Sequence, residues 1–323
     1  VKLALIVLIS SLILRGAGLT LAEAWRVDWT IVEFDVPLLA ASFAILLVTF
    51  AIPAALWSRV IVTFGEKPIP VFPATAMILV SNLGRYIPGK VAQIAGMAYL
   101  ARRAGVSPVH ATGAAVVAQI LNLISAATLG GWVAYQTLGA GNVWSLAAGL
   151  GAVVAMVGFL YLGGAEALMR RFLKRVGEDC ELPPAAGRRL LLWLPGYFVN
   201  WLVHGAAFAL LASGLGIPVT WGVATTAFAA AYFAGYMSLL PAGIGVRESS
   251  LVLLLTPLLG AGPSVVLAVL HRVWISVIEF AGAGVAGLFL QRTGPHEVPG
   301  RPDGPERSPT GATPEPDTRP EVP

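Results

Sequence analysis

Two stretches decide how this chain is read: NLGRYIPGKVAQ at residues 82–93 and LLPAGIGVRE at residues 239–248. Each sets a proline and glycines among apolar residues. Each is followed, thirty-one residues after its proline, by a polar residue in a long apolar run: Gln119 after Pro88 and Arg272 after Pro241. Proline and glycine interrupt helices, and inside a bilayer a broken helix is tolerated only where its freed backbone groups face protein or a water-filled cavity. Corresponding breaks in two halves of a membrane protein therefore point to a transport site.

Composition outside these stretches sets the class. Hydrophobic residues make up 57% of the chain, charged residues 12%, and mean hydropathy is +0.78, against roughly 25% charge in a soluble domain. This is the composition of a polytopic membrane protein. The net charge of +4 reads as basic loops on one side of a bilayer and implies no nucleic-acid partner. Cys180, the single cysteine, excludes an internal disulfide and any multi-cysteine metal site. No cofactor or metal is expected.

A crossing needs roughly 20 apolar residues. Six segments qualify: Leu3 to Ala22, Leu38 to Val62, Val109 to Tyr135, Val143 to Leu162, Leu190 to Ser213 and Val265 to Leu290. Two more regions, Pro70 to Ala104 and Thr220 to Leu259, are split by the Pro/Gly stretches and read as hairpins of half-helices, although Thr220 to Leu240 is long enough to span. Whether these hairpins are re-entrant or fully spanning stays open, because either returns the chain to its starting side. With a cytoplasmic amino terminus, the acidic connector bearing Glu23, Asp28, Glu33 and Asp35 lies outside. Arg59, Lys67, Arg102, Arg103 and the basic cluster from Arg170 to Arg189 then fall inside, as the positive-inside rule requires.

The unit from Leu38 to Tyr135 then begins outside and the unit from Leu190 to Leu290 inside. The expected fold class is an all-α integral membrane bundle of two inverted repeats, each containing a broken helical hairpin. The expected organisation is a membrane domain over residues 1–291 and a cytoplasmic tail over residues 292–323. That tail holds nine of the 23 prolines and almost no large apolar residues, so disorder is expected there. Gly149, Gly158, Gly163, Gly282, Gly284 and Gly287 are expected to let helices approach closely.

Charge within the apolar segments is costly and therefore informative. Between Leu191 and Gln291 the only Asp, Glu, Lys or Arg residues are Arg247, Glu248, Arg272 and Glu279. Arg272, Ser276 and Glu279 share a helical face, predicted to look toward Arg247 and Glu248. Two readings stand: a self-neutralising network that fixes packing, or an anion site in which Arg247 and Arg272 bind a headgroup while the glutamates hold them. In the first stretch Arg85 and Lys90 flank Pro88 and Gly89, with Gln93 a helical turn beyond Lys90, and these groups either receive a phosphate or snorkel to lipid headgroups. Arg102 and Arg103 read as topology determinants. Gln119 with Asn122, and Tyr197 with Asn200 and His204, read as interhelical hydrogen-bonding devices. Of four scattered histidines, His271 beside Arg272 is the one near the proposed site.

At NLGRYIPGKVAQIAGMAYLARRAGVS and LPAGIGVRESSLVLLL the chain resembles the lysylphosphatidylglycerol synthase transmembrane region family, flippase-like membrane proteins, over roughly Leu38 to Leu290. The resemblance implies transfer of an aminoacylated phospholipid or related lipid between leaflets. It implicates Arg85, Pro88, Gly89 and Lys90 in the first stretch, Pro241, Gly243, Gly245, Arg247 and Glu248 in the second, and Arg272 in the last span. Gln119 and Asn122 stand where an arginine and an aspartate are expected. No soluble synthase domain follows Leu290, so lysyl transfer is not expected of this chain. The sequence offers no HExxH, GxSG or Asp-rich metal motif, so no catalytic residue is assigned. A lipid-modifying membrane enzyme and a scaffold for one, or for a glycosyltransferase, remain the alternatives to a lipid transporter of the cell membrane.

Overall fold

The computed structural model describes residues 32–87, 91–137, 143–164, 167, 171, 186–238 and 240–292. The expected first span, the tail from residue 293, most of the basic loop cluster, and Pro88, Gly89 and Lys90 lie outside the described residues. What is described is helical, without a strand. Among the described residues ten α-helices follow one another: α1 (Val36–Thr63), α2 (Val71–Asn82), α3 (Val91–Arg103), α4 (Pro108–Thr137), α5 (Val143–Tyr161), α6 (Ala186–Leu191), α7 (Leu194–Gly214), α8 (Trp221–Met237), α9 (Val246–Leu259) and α10 (Ala261–Arg292).

Among the described residues five helical segments are long and apolar enough to cross a membrane: Val36–Thr63, Pro108–Trp132, Arg189–Gly214, Pro241–Leu259 and Ala261–Arg292. Many large apolar side chains of the helices are exposed, Val154, Leu253, Val285 and Leu288 among them, which suits a surface that meets lipid. The two broken regions differ in length. With 12 and 13 residues, α2 and α3 rise about 18–20 Å each at 1.5 Å per residue, short of the roughly 30 Å hydrocarbon core. In the second region the arms are longer: α9 with its preceding turn is long enough to span, while the 17-residue α8 rises about 26 Å.

The start of α1 explains its position. Asp35 caps it, accepting from the Leu38 amide at 3.1 Å, and Pro37 occupies the first turn, where no amide partner is lost. The connector before it runs along the end of α7, with the Asp35 amide donating to the Gly214 carbonyl at 2.9 Å and the Glu33 amide to Leu215. Further along, the Ser42 hydroxyl donates to the Ala207 carbonyl at 2.7 Å, and Leu56 packs against Gly196. So α1 and α7 lie antiparallel, each heading one broken region. The remaining packing is reciprocal: α2 lies on α10 and α8 lies on α4. One buried apolar cluster gathers α1 to α4, including Trp57, Met77, Leu121 and Ile124. The other gathers α7 to α10, including Phe208, Phe228, Leu255 and Ile275, together with Leu46, Leu79 and Ala126 from the first half.

Of the anticipated glycines only Gly282 is seen in close approach among the described residues, and the tightest contacts fall at others. A Cβ on Gly205 would meet Thr225, and one on Gly130 would come 2.7 Å from the Ala230 Cα, so these two positions set the α7–α8 and α4–α8 crossings. Gly282 touches Leu79, whereas Gly158, Gly284 and Gly287 face open space. Glycine periodicity along a helix gives no indication of which face meets a neighbour.

Candidate functional site

Both breaks are built from a short 3-10 turn, and the two turns touch. In the first, α2 tightens into Leu83–Tyr86 and Ile87 turns extended at φ −87° and ψ 133°, the conformation that a following proline enforces. A Cβ on Gly84 would lie 2.5 Å from the Gln93 amide nitrogen, so only glycine lets the arms abut here. Across the same break the Gln93 Nε2 donates to the Asn82 Oδ1 at 2.8 Å.

In the second break the turn Pro241–Gly243 carries Ala242 at φ 50°, the one non-glycine with positive φ among the described residues. Gly243 and Gly245 follow at φ 65° and 89°. The fold onto α8 is tight: a Cβ on Gly243 would meet the Gly235 carbonyl oxygen at 2.9 Å. Helix α9 then starts with Gly245 as its cap, and the Glu248 Oε2 reaches back to accept the Gly245 amide at 2.7 Å. This carboxylate in the first turn also complements the helix dipole.

Five charged side chains meet around these turns. Arg85 pairs with Glu279, whose second oxygen accepts from the Tyr86 hydroxyl at 2.9 Å. Arg272 lies 3.4 Å from Glu248 and donates to the Ala242 carbonyl at 3.3 Å. Arg272 and Glu248 are 2% exposed and Glu279 is 1% exposed. The fifth, Arg247, is 7% exposed and ion-pairs with no carboxylate among the described residues. Its guanidinium sits 4.5 Å from the centre of the Phe228 ring and 6.0 Å from that of Tyr232.

A cavity of about 240 Å³ opens beside the turns. Arg85, Gln93, Gly243, Arg247 and Glu279 line it, together with Gln119, Asn122, Tyr197, Asn200 and His204. Pro241, Gly245, Glu248 and Arg272 are not among its lining residues. The expected approach of the Arg272 face to Glu248 is met, whereas Arg247 lines the cavity without Arg272 and Glu279 turns to another partner. Arg272 is held behind the tip by Glu248, while Glu279 belongs to Arg85 from the other half of the chain. Arg85 does not snorkel outward but turns inward to that carboxylate. Arg102 and Arg103 end α3, away from the cavity lining.

The histidine at the cavity is His204, not His271, which is packed against Phe208 and Phe228 with ring centres 4.4 and 4.7 Å away. Gln119 does link helices, its Nε2 lying 3.4 Å from the Tyr232 hydroxyl. Tyr197, Asn200 and His204 do not: the Tyr197 hydroxyl, Asn200 Oδ1 and His204 Nε2 are buried without a hydrogen-bond partner among the described residues. Thr49, Pro53, Trp57, Tyr232 and Tyr236 complete walls that the sequence did not single out. Pro53, inside α1, removes the hydrogen bond that the Thr49 carbonyl would accept, and that proline four residues after a threonine was the available signal.

No curated protein matches the chain. The model of the lysylphosphatidylglycerol synthase TM region matches residues 1–281, a span that includes both breaks and every charged residue around them, and the chain belongs to that family.

Proposed function

We propose that the protein moves an anionic or zwitterionic lipid, such as a phospholipid, an aminoacyl-phospholipid or a lipid-linked saccharide, between the leaflets of the cell membrane, with the lipid phosphate held at Arg247. The observation that supports this most directly is the charge surplus: three arginines meet two glutamates, and the arginine left over lines the cavity. Removing an ion from water costs several kcal/mol, whereas a cation–π contact returns about 2 kcal/mol when desolvated. A phosphate on Arg247 supplies the difference. The cavity is smaller than the roughly 300–1,000 Å³ of pockets that enclose drug-sized ligands, which suits a headgroup whose acyl chains stay in the bilayer.

The two four-helix units act as inverted repeats in this reading, a relation supported by the antiparallel α1–α7 pair and the reciprocal α2–α10 and α8–α4 contacts. Alternating access then amounts to rocking one unit against the other about the touching turns. A separate lipid-modifying enzyme or glycosyltransferase is the natural supplier of the cargo, and in this reading both chain ends are cytoplasmic, which the basic loops of the sequence support.

Reconstitution in proteoliposomes tests the assignment. Arg247→Gln is expected to slow lipid scrambling by about tenfold or more while the protein stays folded, and Arg247→Lys to recover part of it, since lysine keeps charge but loses the planar fork. Unchanged scrambling by a folded Arg247→Gln protein rejects the site.

A further inference from the structure

We infer that the Tyr197–Asn200–His204 face of α7 is a headgroup subsite for a neutral, hydroxyl-rich substituent on the lipid phosphate, a glycerol-, inositol- or sugar-like group, and that it selects against cationic headgroups. This rests on the transport reading above and narrows its substrate class.

Spaced three and four apart, the three residues share one side of α7, and all three line the cavity that Arg247 also lines. Tyr197 and Asn200 are buried. Their orphaned atoms, with that of His204, are an acceptor at Asn200 Oδ1 and two groups able to accept or donate, the Tyr197 hydroxyl and His204 Nε2. Buried polar atoms without partners are uncommon because each costs about 1–3 kcal/mol. Three on one cavity wall match a ligand that donates and accepts at several points. Hydroxyl groups do both. A quaternary ammonium offers no donor at all.

A primary ammonium could donate to these acceptors, but it brings a full positive charge into a cavity that Arg85 and Arg247 already line, a burial that only a carboxylate offsets well, and both carboxylates of the site are committed. Glu279 serves Arg85 and Tyr86, and Glu248 serves Arg272 and the Gly245 amide. The aromatic walls do not offer a cation cage either. Arg247 already lies over Phe228 and Tyr232, so a second cation there meets like charge rather than a free ring face.

Scrambling of acyl-labelled lipids by the reconstituted full chain separates the outcomes. Phosphatidylglycerol and phosphatidylinositol are expected to move about tenfold faster than phosphatidylcholine or lysyl-phosphatidylglycerol, and Asn200→Leu with Tyr197→Phe to lower the ratio of phosphatidylglycerol to phosphatidic acid transport by a similar factor. Asn200→Asp, nearly the same shape, puts a carboxylate on the wall and is expected to shift preference toward the lysyl lipid. Lysyl-phosphatidylglycerol moved as fast as phosphatidylglycerol by the wild type, or headgroup ratios unmoved in both variants, overturns the subsite while leaving transport intact. Failure of the wild type to move any of the five lipids rejects transport itself, and the subsite with it.

Discussion

Two arginines twenty-five residues apart, both buried and both in apolar sequence, have opposite roles because of what stands beside them. Arg272 is fixed by Glu248 and the Ala242 carbonyl, so it holds the second break closed. Removing one member of a buried pair strands the other charge and costs about 3–5 kcal/mol. Arg272→Gln and Glu248→Gln are therefore each expected to lower thermal stability in detergent, and the double variant to recover much of the loss. Additive losses in that cycle show that the pair is not coupled. Arg247→Gln strands no carboxylate and is expected to leave the melting temperature close to that of the wild type. Helical spacing made the shared face of Arg272, Ser276 and Glu279 legible. It did not disclose that Glu279 takes its partner from Arg85, 194 residues away, because local periodicity holds no information about which half of the chain a face meets.

At the scale of elements, the breaks themselves were readable and their geometry was not. Pro88 and Pro241 with their glycines marked where helices end, since proline removes a donor and glycine permits positive φ. What could not be read was that an alanine would take the left-handed conformation, since Ala242 sits beside glycines that adopt it at lower cost. An L-residue there costs roughly 1–2 kcal/mol. Ala242→Gly is expected to raise the melting temperature slightly, and Ala242→Val to lower it because a β-branched side chain at positive φ is strained further. A lower melting temperature for the glycine variant means that the Ala242 methyl contributes packing that exceeds the strain. The lengths of the broken arms were also ambiguous, because apolar residues lie on both sides of the second break, interrupted only by Arg247 to Ser250, and only the path of the backbone decides where each helix stops.

At the scale of the molecule, the arrangement ties the sidedness of distant segments together. The start of α1 is bonded to the end of α7, so residues near 35 and near 216 share one membrane face. At 28 residues, α1 rises about 42 Å, more than the hydrocarbon thickness, so Lys67 beyond its end lies on the opposite face. Lys67, Arg102 and Arg103 cluster at that end of the chain's path, while Glu33 and Asp35 lie at the other, and basic residues mark the cytoplasmic side. In a background with Cys180→Ser, cysteine at exposed Pro218 is expected to react with a membrane-impermeant maleimide in intact cells. Cysteine at Lys67 is expected to react only after permeabilisation. Equal labelling of both positions in intact cells breaks the antiparallel crossing of α1 and α7 on which the inverted relation of the two units depends. Reversed labelling keeps that relation and inverts the protein in the membrane, so that the basic ends of the helices face outward against the charge bias.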